Sequence, residues 1–252
     1  MDDVKWIVEQ KNKFRNKMGV KEKLPLVIYT HTDYKDVWKI TFSQLQKYMS
    51  DFKIYILCNE RSLDIPENWE TITYDNAKVY TQRLKDCLSY IEEETVMFMH
   101  EDMPLFSKPN FEYLERYFNL VDSEKVDSIK MIYVKDDKEV VSDIDNTLIS
   151  SQYSKFSIQP TLIKVKNFVS LLNSTQPLNI WDFELAVPAE GKHFMCKIGG
   201  EKKRGIYHYD SLVFPYIATA IIKGKWNYGE YSTELDELFN EYGIIPFERG
   251  IS

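Results

Sequence analysis

The stretch Thr95-Val96-Met97-Phe98-Met99-His100-Glu101-Asp102-Met103-Pro104-Leu105 decides the fold. Thr95 to Met99 (TVMFM) is an apolar run of the kind that forms a strand covered on both faces. It breaks off in three side chains able to ligate a metal, His100, Glu101 and Asp102, and Pro104 then blocks ordinary continuation. In open α/β sheets, ligands bind outside the carboxyl ends of strands. Adjacent carboxylates there are costly unless cations or solvent face them. Hard divalent cations take oxygen ligands, and Mg²⁺ typically uses one or two carboxylates together with substrate phosphates. An ordinary acidic loop after a strand is the competing reading.

The flanks fit the same architecture. Leu24 to Thr32 (LPLVIYTHT), Phe52 to Cys58 (FKIYILC) and Trp69 to Tyr74 (WETITY) read as strands. Between them, Trp38, Phe42, Leu45 and Met49 form one helical stripe, and Tyr80, Leu84, Cys87, Leu88 and Ile91 a second. Strands alternating with amphipathic helices imply crossover connections, so the expected class is α/β with a mainly parallel central sheet flanked by helices. Beyond residue 105 the expectation is a helix over Asn110 to Leu120, a strand over Val126 to Val134 and a polar stretch from Val140 to Ser151. A strand over Phe156 to Ile163 and a helix around Val165 to Leu172 follow. Val4 to Met18 has helical spacing with a basic outer face, either a packing helix or a membrane-surface contact. No linker or repeat divides the chain. It reads as one domain, 1–252, with a nucleotide-binding half at about 24–105 and an acceptor half at about 106–230.

Composition bounds the function. The formal net charge of -7 argues against a nucleic-acid binder, whose affinity comes from neutralising phosphates. No apolar run approaches the ~20 residues of a membrane span, and the N-terminus lacks the apolar core of a signal peptide. Cys58, Cys87 and Cys196 are far apart and odd in number, which suits reduced thiols in a cytoplasmic protein.

A second constellation lies downstream. Phe156-Ser157-Ile158-Gln159-Pro160 is followed by Asn179-Ile180-Trp181-Asp182-Phe183-Glu184, which sets two carboxylates among large aromatics. Apolar surroundings raise a carboxyl pKa toward the range useful for a general base. Asp182 or Glu184 in the first turn of a helix, as a capping acid, is the alternative.

The order of these features resembles the GT-A class of nucleotide-sugar glycosyltransferases, and more narrowly the viral and bacterial polysaccharide transferases of that class. The matching pieces are the apolar strand ending in a DxD-like acidic motif (Met97 to Asp102), the strand Phe156 to Pro160, and the W-x-F-E segment Trp181 to Glu184. The Leu26 to Thr32 strand, the Arg83-Leu84 helix and Lys223-Gly224-Lys225-Trp226 also fit, the last as a place where a helix ends at Gly224. The resemblance spans roughly residues 24 to 230. The family's two or three aspartates are replaced by His-Glu-Asp.

The resemblance implies a nucleoside-diphosphate sugar donor, a UDP-sugar ahead of a GDP- or dTDP-sugar, a glycan acceptor, and Mn²⁺ or Mg²⁺ as cofactor. Asp102 matches the metal-binding position, with Glu101 in support and His208 as a late ligand for which His193 competes. Glu184 matches the general base of an inverting reaction, with Asp182 as the alternative. Thr30, His31, Thr32, Asp75, Arg83, Glu101, Trp181, Lys203 and Arg204 are the expected donor contacts, with Lys202, Lys203 and Arg204 on a loop that neutralises diphosphate. Asp75 is equally an N-cap, and the basic run equally a solvated face. Two other functions stay open. One is a non-catalytic carbohydrate- or nucleotide-binding module, which the His-Glu-Asp departure favours. The other is a nucleotidyltransferase, against which no glycines cluster after the first strand.

Overall fold

The computed structural model describes Gly19, residues 24–204 and residues 208–252. The expected helix at Val4 to Met18 lies outside them. Strands β1 (Leu26–Tyr29), β2 (Ile54–Cys58) and β4 (Thr95–His100) are buried at every residue, as a sheet covered on both faces demands. Strand β3 (Glu70–Thr73) is more exposed and forms the sheet edge. Helices α1 (Lys35–Met49) and α2 (Tyr80–Leu88) make the crossovers from β1 to β2 and from β3 to β4, burying the two predicted stripes. Further on come α3 (Phe111–Asp122), β5 (Ser128–Lys130), β6 (Tyr133–Val134), β7 (Val140–Val141), β8 (Leu148–Ser150), β9 (Thr161–Lys164) and α4 (Val165–Asn173). The chain continues through α5 (Ile180–Ala186), β10 (His193–Cys196), β11 (Gly199–Arg204), β12 (His208–Ser211), β13 (Ile221–Ile222) and β14 (Lys225–Trp226). It closes with α6 (Tyr228–Tyr242) and α7 (Pro246–Arg249).

The central sheet has nine strands in the order β3-β2-β1-β4-β9-β5-β10-β8-β7. Strands β3, β2, β1 and β4 are mutually parallel, β9 is antiparallel to both neighbours, β5 and β10 are parallel, and β8 is antiparallel to β10 and β7. The class is therefore mixed α/β with a mainly parallel sheet flanked by helices. The chain proceeds from β1 outward to β3 and then returns to place β4 on the other side of β1. The carboxyl ends of β1 and β4 thus flank a switch point, where a ligand crevice opens.

Several expected elements differ. The strand expected over Phe156 to Ile163 begins only at Thr161. The preceding residues turn instead, because the Lys130 ammonium collects the carbonyls of Tyr153 and Lys155 at 2.6 and 3.1 Å. The strand expected over Val126 to Val134 is divided: β5 stays in the large sheet, and β6 joins a small sheet of order β11-β12-β6. The polar stretch from Val140 to Ser151 contains the strand pair β7–β8. Gly224 does not end a helix. It sits with Lys223 at the tip of the β13–β14 hairpin, both at positive φ (+79° and +49°), the geometry of a two-residue turn matched to strand twist.

β4 ends at His100, and from Asp102 to Phe106 the chain runs alongside residues 215–220. Ala220 N–H donates to the Asp102 carbonyl (2.8 Å), Ile217 N–H to the Pro104 carbonyl (2.9 Å), and Phe106 N–H to the Pro215 carbonyl (3.1 Å). This pairing carries the β13–β14 hairpin to the acidic strand end.

Candidate functional site

A cleft of about 840 Å³ opens at the switch point. The ends of β1 (Tyr29, Thr30, His31) and β4 (His100, Glu101, Asp102) form its floor. One wall is the segment from Tyr74 to Arg83. A second comes from Ile158, Gln159 and the α5 side chains Trp181 and Glu184. A third comes from Thr219, Ile221 and the hairpin tip Lys223-Gly224. Residues far apart in sequence meet here because Tyr29 pairs with Leu57 on one side and with His100 on the other.

The acidic pair is held from behind. Trp38 on α1 donates its indole N–H to the Thr30 hydroxyl (2.5 Å), and the Thr30 side chain favours the charged form of the Glu101 carboxyl. Thr41, one turn along the same helix, donates to the Glu101 carbonyl at 2.5 Å. Glu101 is buried, and its Oε2 has no hydrogen-bond partner. Desolvation first, and the neighbouring Asp102 second, push its pKa well above the usual carboxyl range. Asp102 is half-buried. Desolvation raises its pKa to about 7, although N–H groups of its own backbone and of Ile221 favour the charged form. An unpartnered buried carboxylate oxygen beside a second carboxylate is the donor set a hard cation fits. Among the described residues, no three His, Cys, Asp or Glu side chains converge on one point. Glu101 and Asp102 are therefore the residues here that could hold such an ion.

His100 is buried and bonds the Tyr80 hydroxyl through Nε2 (2.9 Å), with Tyr29 stacked on its ring at 5.2 Å. Burial lowers its pKa to about 3, so it is neutral at ordinary pH. Tyr29 also stacks on Tyr74 at 5.0 Å, and the Arg83 guanidinium lies over Tyr74 at 5.1 Å. Arg83 bonds the carbonyls of Asn76 (2.5 Å) and Lys78 (2.6 Å) and the Tyr29 hydroxyl (3.3 Å). It braces the segment before α2 rather than extending into solvent.

Asn179 caps α5: its side chain accepts from Asp182 N–H (3.0 Å) and donates to the Asp182 carboxylate (2.7 Å). Asp182 is thus the capping acid of the first turn, exposed and outside the cleft lining. Glu184 lines the cleft, and its Oε1 accepts from Ile158 N–H at 2.5 Å. The two carboxylates that the sequence left as alternatives are separated by position on the helix.

Other expected residues are placed elsewhere. Thr30, His31 and Arg83 line the cleft, whereas Thr32 and Asp75 stand beside it. Thr32 exchanges two 2.9 Å bonds with the Asn59 side chain. Asp75 accepts from Ala77 N–H in a turn, and the N-cap of α2 is Val79, so Asp75 is not that cap. The Lys202-Lys203-Arg204 run belongs to strand β11 instead of a loop, and none of it lines the cleft. Lys203 is exposed. Arg204 is fully buried and engaged by Asp210, Glu234, the Glu230 carbonyl and the Tyr231 ring, away from the cleft lining. His208 bonds the Tyr231 hydroxyl (3.0 Å), and His193 lies on β10 between Ser128 and the Glu190 carbonyl; neither joins the acidic pair.

Sequence reasoning missed Tyr29, Tyr80, Gln159 and Arg249. Arg249 holds Asp36 in a bidentate pair (2.5 Å each), lies 5.2 Å over the Tyr34 ring, and its charge acts on Glu101. The tyrosines and Gln159 adjoin motifs that were read, but the Arg249–Asp36 contact crosses 213 positions and leaves no local signal.

No protein-family model matches the chain, and no curated protein matches it. Solved structures do. Bifunctional IspDF from Campylobacter jejuni is 15% identical over 77% of this chain and 52% of its own, with a TM-score of 0.43. TarS 1–349 from S. aureus is 16% identical over 88% of this chain and 64% of its own, TM-score 0.46. A putative glucose-1-phosphate thymidylyltransferase from Bacillus anthracis is 14% identical over 64% of this chain and 80% of its own, TM-score 0.38. The matches span less than two thirds of the length of the first two of these proteins. Among the described residues, no helix is long and apolar enough to cross a membrane.

Proposed function

We propose that the chain is a glycosyltransferase that moves a sugar from a nucleoside-diphosphate donor to a hydroxyl acceptor, with inversion, a UDP-sugar being the favoured donor and a glycan the acceptor. The observation that carries this reading is the convergence of Glu101, Asp102 and Glu184 on one cleft at the β1/β4 switch point. Donor phosphates lie against the strand ends, and the acceptor enters past Trp181, which is 73% exposed at the mouth.

Asp102 and the unpartnered oxygen of Glu101 would hold Mn²⁺ or Mg²⁺, which supplies Lewis-acid stabilisation of charge on the departing diphosphate. The remaining work falls to the protein's own groups. Glu184 takes the proton of the acceptor hydroxyl at a carboxylate oxygen as that hydroxyl attacks the anomeric carbon. Ile158 N–H fixes the Glu184 rotamer through Oε1, leaving Oε2 as the proton acceptor. Tyr29, Tyr74 and Arg83 give the donor side a rigid aromatic and cationic wall.

The test is release of free nucleoside diphosphate from a panel of UDP-, GDP- and dTDP-sugars with Mn²⁺ and glycan acceptors. Glu184→Gln should lower turnover by about 10²–10⁴-fold with donor affinity nearly unchanged. Full turnover in that variant removes Glu184 from the role of base. Donor binding without release across the panel would instead favour a non-catalytic module.

A further inference from the structure

The cations around the cleft are engaged to very different degrees. Arg83 is taken up by two carbonyls and a tyrosine, Lys78 pairs with Asp86 at 2.6 Å, and Arg249 behind the rim is bound to Asp36. Lys223 is exposed, lines the cleft, and has no ion pair or hydrogen bond to its ammonium among the described residues.

Its backbone is unusual as well. Lys223 has φ +49°, in the left-handed region that residues with a Cβ rarely occupy and that Asn or Gly would take at such a hairpin tip with less strain. The hairpin holding it is firmly tied. Trp226 N–H donates to the Gly250 carbonyl (2.9 Å), Arg249 to the Gly224 carbonyl (3.3 Å), and Asn227 N–H to the Ala220 carbonyl (2.8 Å). Ala220, the residue before the hairpin, gives its N–H to the Asp102 carbonyl (2.8 Å), and the N–H of Ile221, its first residue, favours the charged form of Asp102. One rigid element thus steadies an acid of the pair at its base and lifts an unpaired ammonium into the cleft at its tip.

We propose that Lys223 is a diphosphate-binding residue, placed to neutralise the phosphate groups of a nucleoside-diphosphate ligand across the cleft from Glu101 and Asp102. This rests on the nucleotide-sugar reading above and assigns the positive charge that reading needs. A diphosphate facing two carboxylates requires cations, and the Lys202-Lys203-Arg204 run does not reach the cleft. Lysine suits the task as a mobile point charge on a phosphate oxygen.

Calorimetric titration of the full chain with UDP, UMP and uridine, and with the GDP and dTDP series, tests the assignment. Lys223→Gln and Lys223→Gly should each weaken diphosphate binding by about tenfold to hundredfold, the range for one charge-assisted contact, weaken monophosphate binding less, and leave nucleoside binding unchanged. Lys223→Gly suits the positive φ, so it should melt no lower than the parent, which separates lost charge from lost fold. Equal diphosphate affinity in the parent and both variants overturns the assignment and leaves the nucleotide site standing. An equal loss for diphosphate and nucleoside also overturns it, by making Lys223 a shaping residue. A parent chain that binds none of the three diphosphates overturns both this assignment and the nucleotide-sugar reading.

Discussion

His100 and Asp102 stand two positions apart and are perturbed in opposite senses. The folded-state pKa of Asp102 is raised from 3.8 to about 7, so its contribution to stability is full below pH 3.8 and is lost as pH rises toward 7. That of His100 is lowered from 6.5 to about 3, so its contribution is full above pH 6.5 and is lost as pH falls toward 3. Between about pH 4 and 6.5 the two slopes oppose one another. Glu101, raised in the same sense, adds to the Asp102 slope, so in metal-free urea unfolding Asp102→Asn should lessen the gain in stability on acidification and His100→Gln should enlarge it. Unchanged pH dependence in both variants would contradict the burial assigned to these side chains. At this scale the sequence was informative about residue type and silent about commitment. The placement of Glu101 and Asp102 at a cleft was legible because they end an apolar strand, where an open α/β sheet has its crevice. Arg204 looked like a free phosphate ligand because the carboxylates that bury it, Asp210 and Glu234, lie across a strand pair and on a helix 30 positions on.

At the scale of elements, the short helix α5 decides where Glu184 points. Seven residues are too few for a helix to persist on propensity alone, so its ends matter. Asn179 and Asp182 close the amino end, and the Lys155 ammonium accepts the duty at the other end, donating to the carbonyls of Glu184 (3.1 Å) and Leu185 (3.4 Å). Phe183 is buried and anchors one face, which leaves Trp181 and Glu184 facing the cleft. Asn179→Ala should cost about 1 kcal/mol of stability, the usual value of an N-cap, and should lower kcat more than it raises the donor KM. A variant with kcat intact would show that the helix end does not position the base. Elements with strong periodicity were legible here: β1, β2 and α2 lie within the stretches that the sequence marked, β4 runs past its stretch at His100, and α1 starts before its stripe at Lys35. The turn at 151–160 was not, because its cause is a buried lysine reaching from β5; Lys130 also bonds the Ser157 hydroxyl at 2.9 Å, and desolvation brings its pKa down to about 8.

At the scale of the molecule, the cleft is assembled from both halves of the chain and closed by its final residues. Arg249 ties α7 to Asp36 at the start of α1, while Trp226 N–H and the Ser252 hydroxyl bind the last strand pair to the C-terminal segment. The strands of the first half were readable from residues 24 to 105. The remaining wall was not, since pairing of residues 102–106 with 215–220 is a contact of high sequence separation without a periodic signature. The central claim is that this cleft takes a nucleoside diphosphate with a divalent ion at the acidic strand end. Diffraction from crystals soaked with Mn²⁺ and UDP-, GDP- or dTDP-sugars tests it most directly. The expected result is an anomalous manganese peak at coordination distance from Asp102 and Glu101, with the diphosphate between that ion and Lys223. A nucleotide bound elsewhere, such as the groove of Arg61 to Thr71, or a manganese peak away from Asp102, would contradict it.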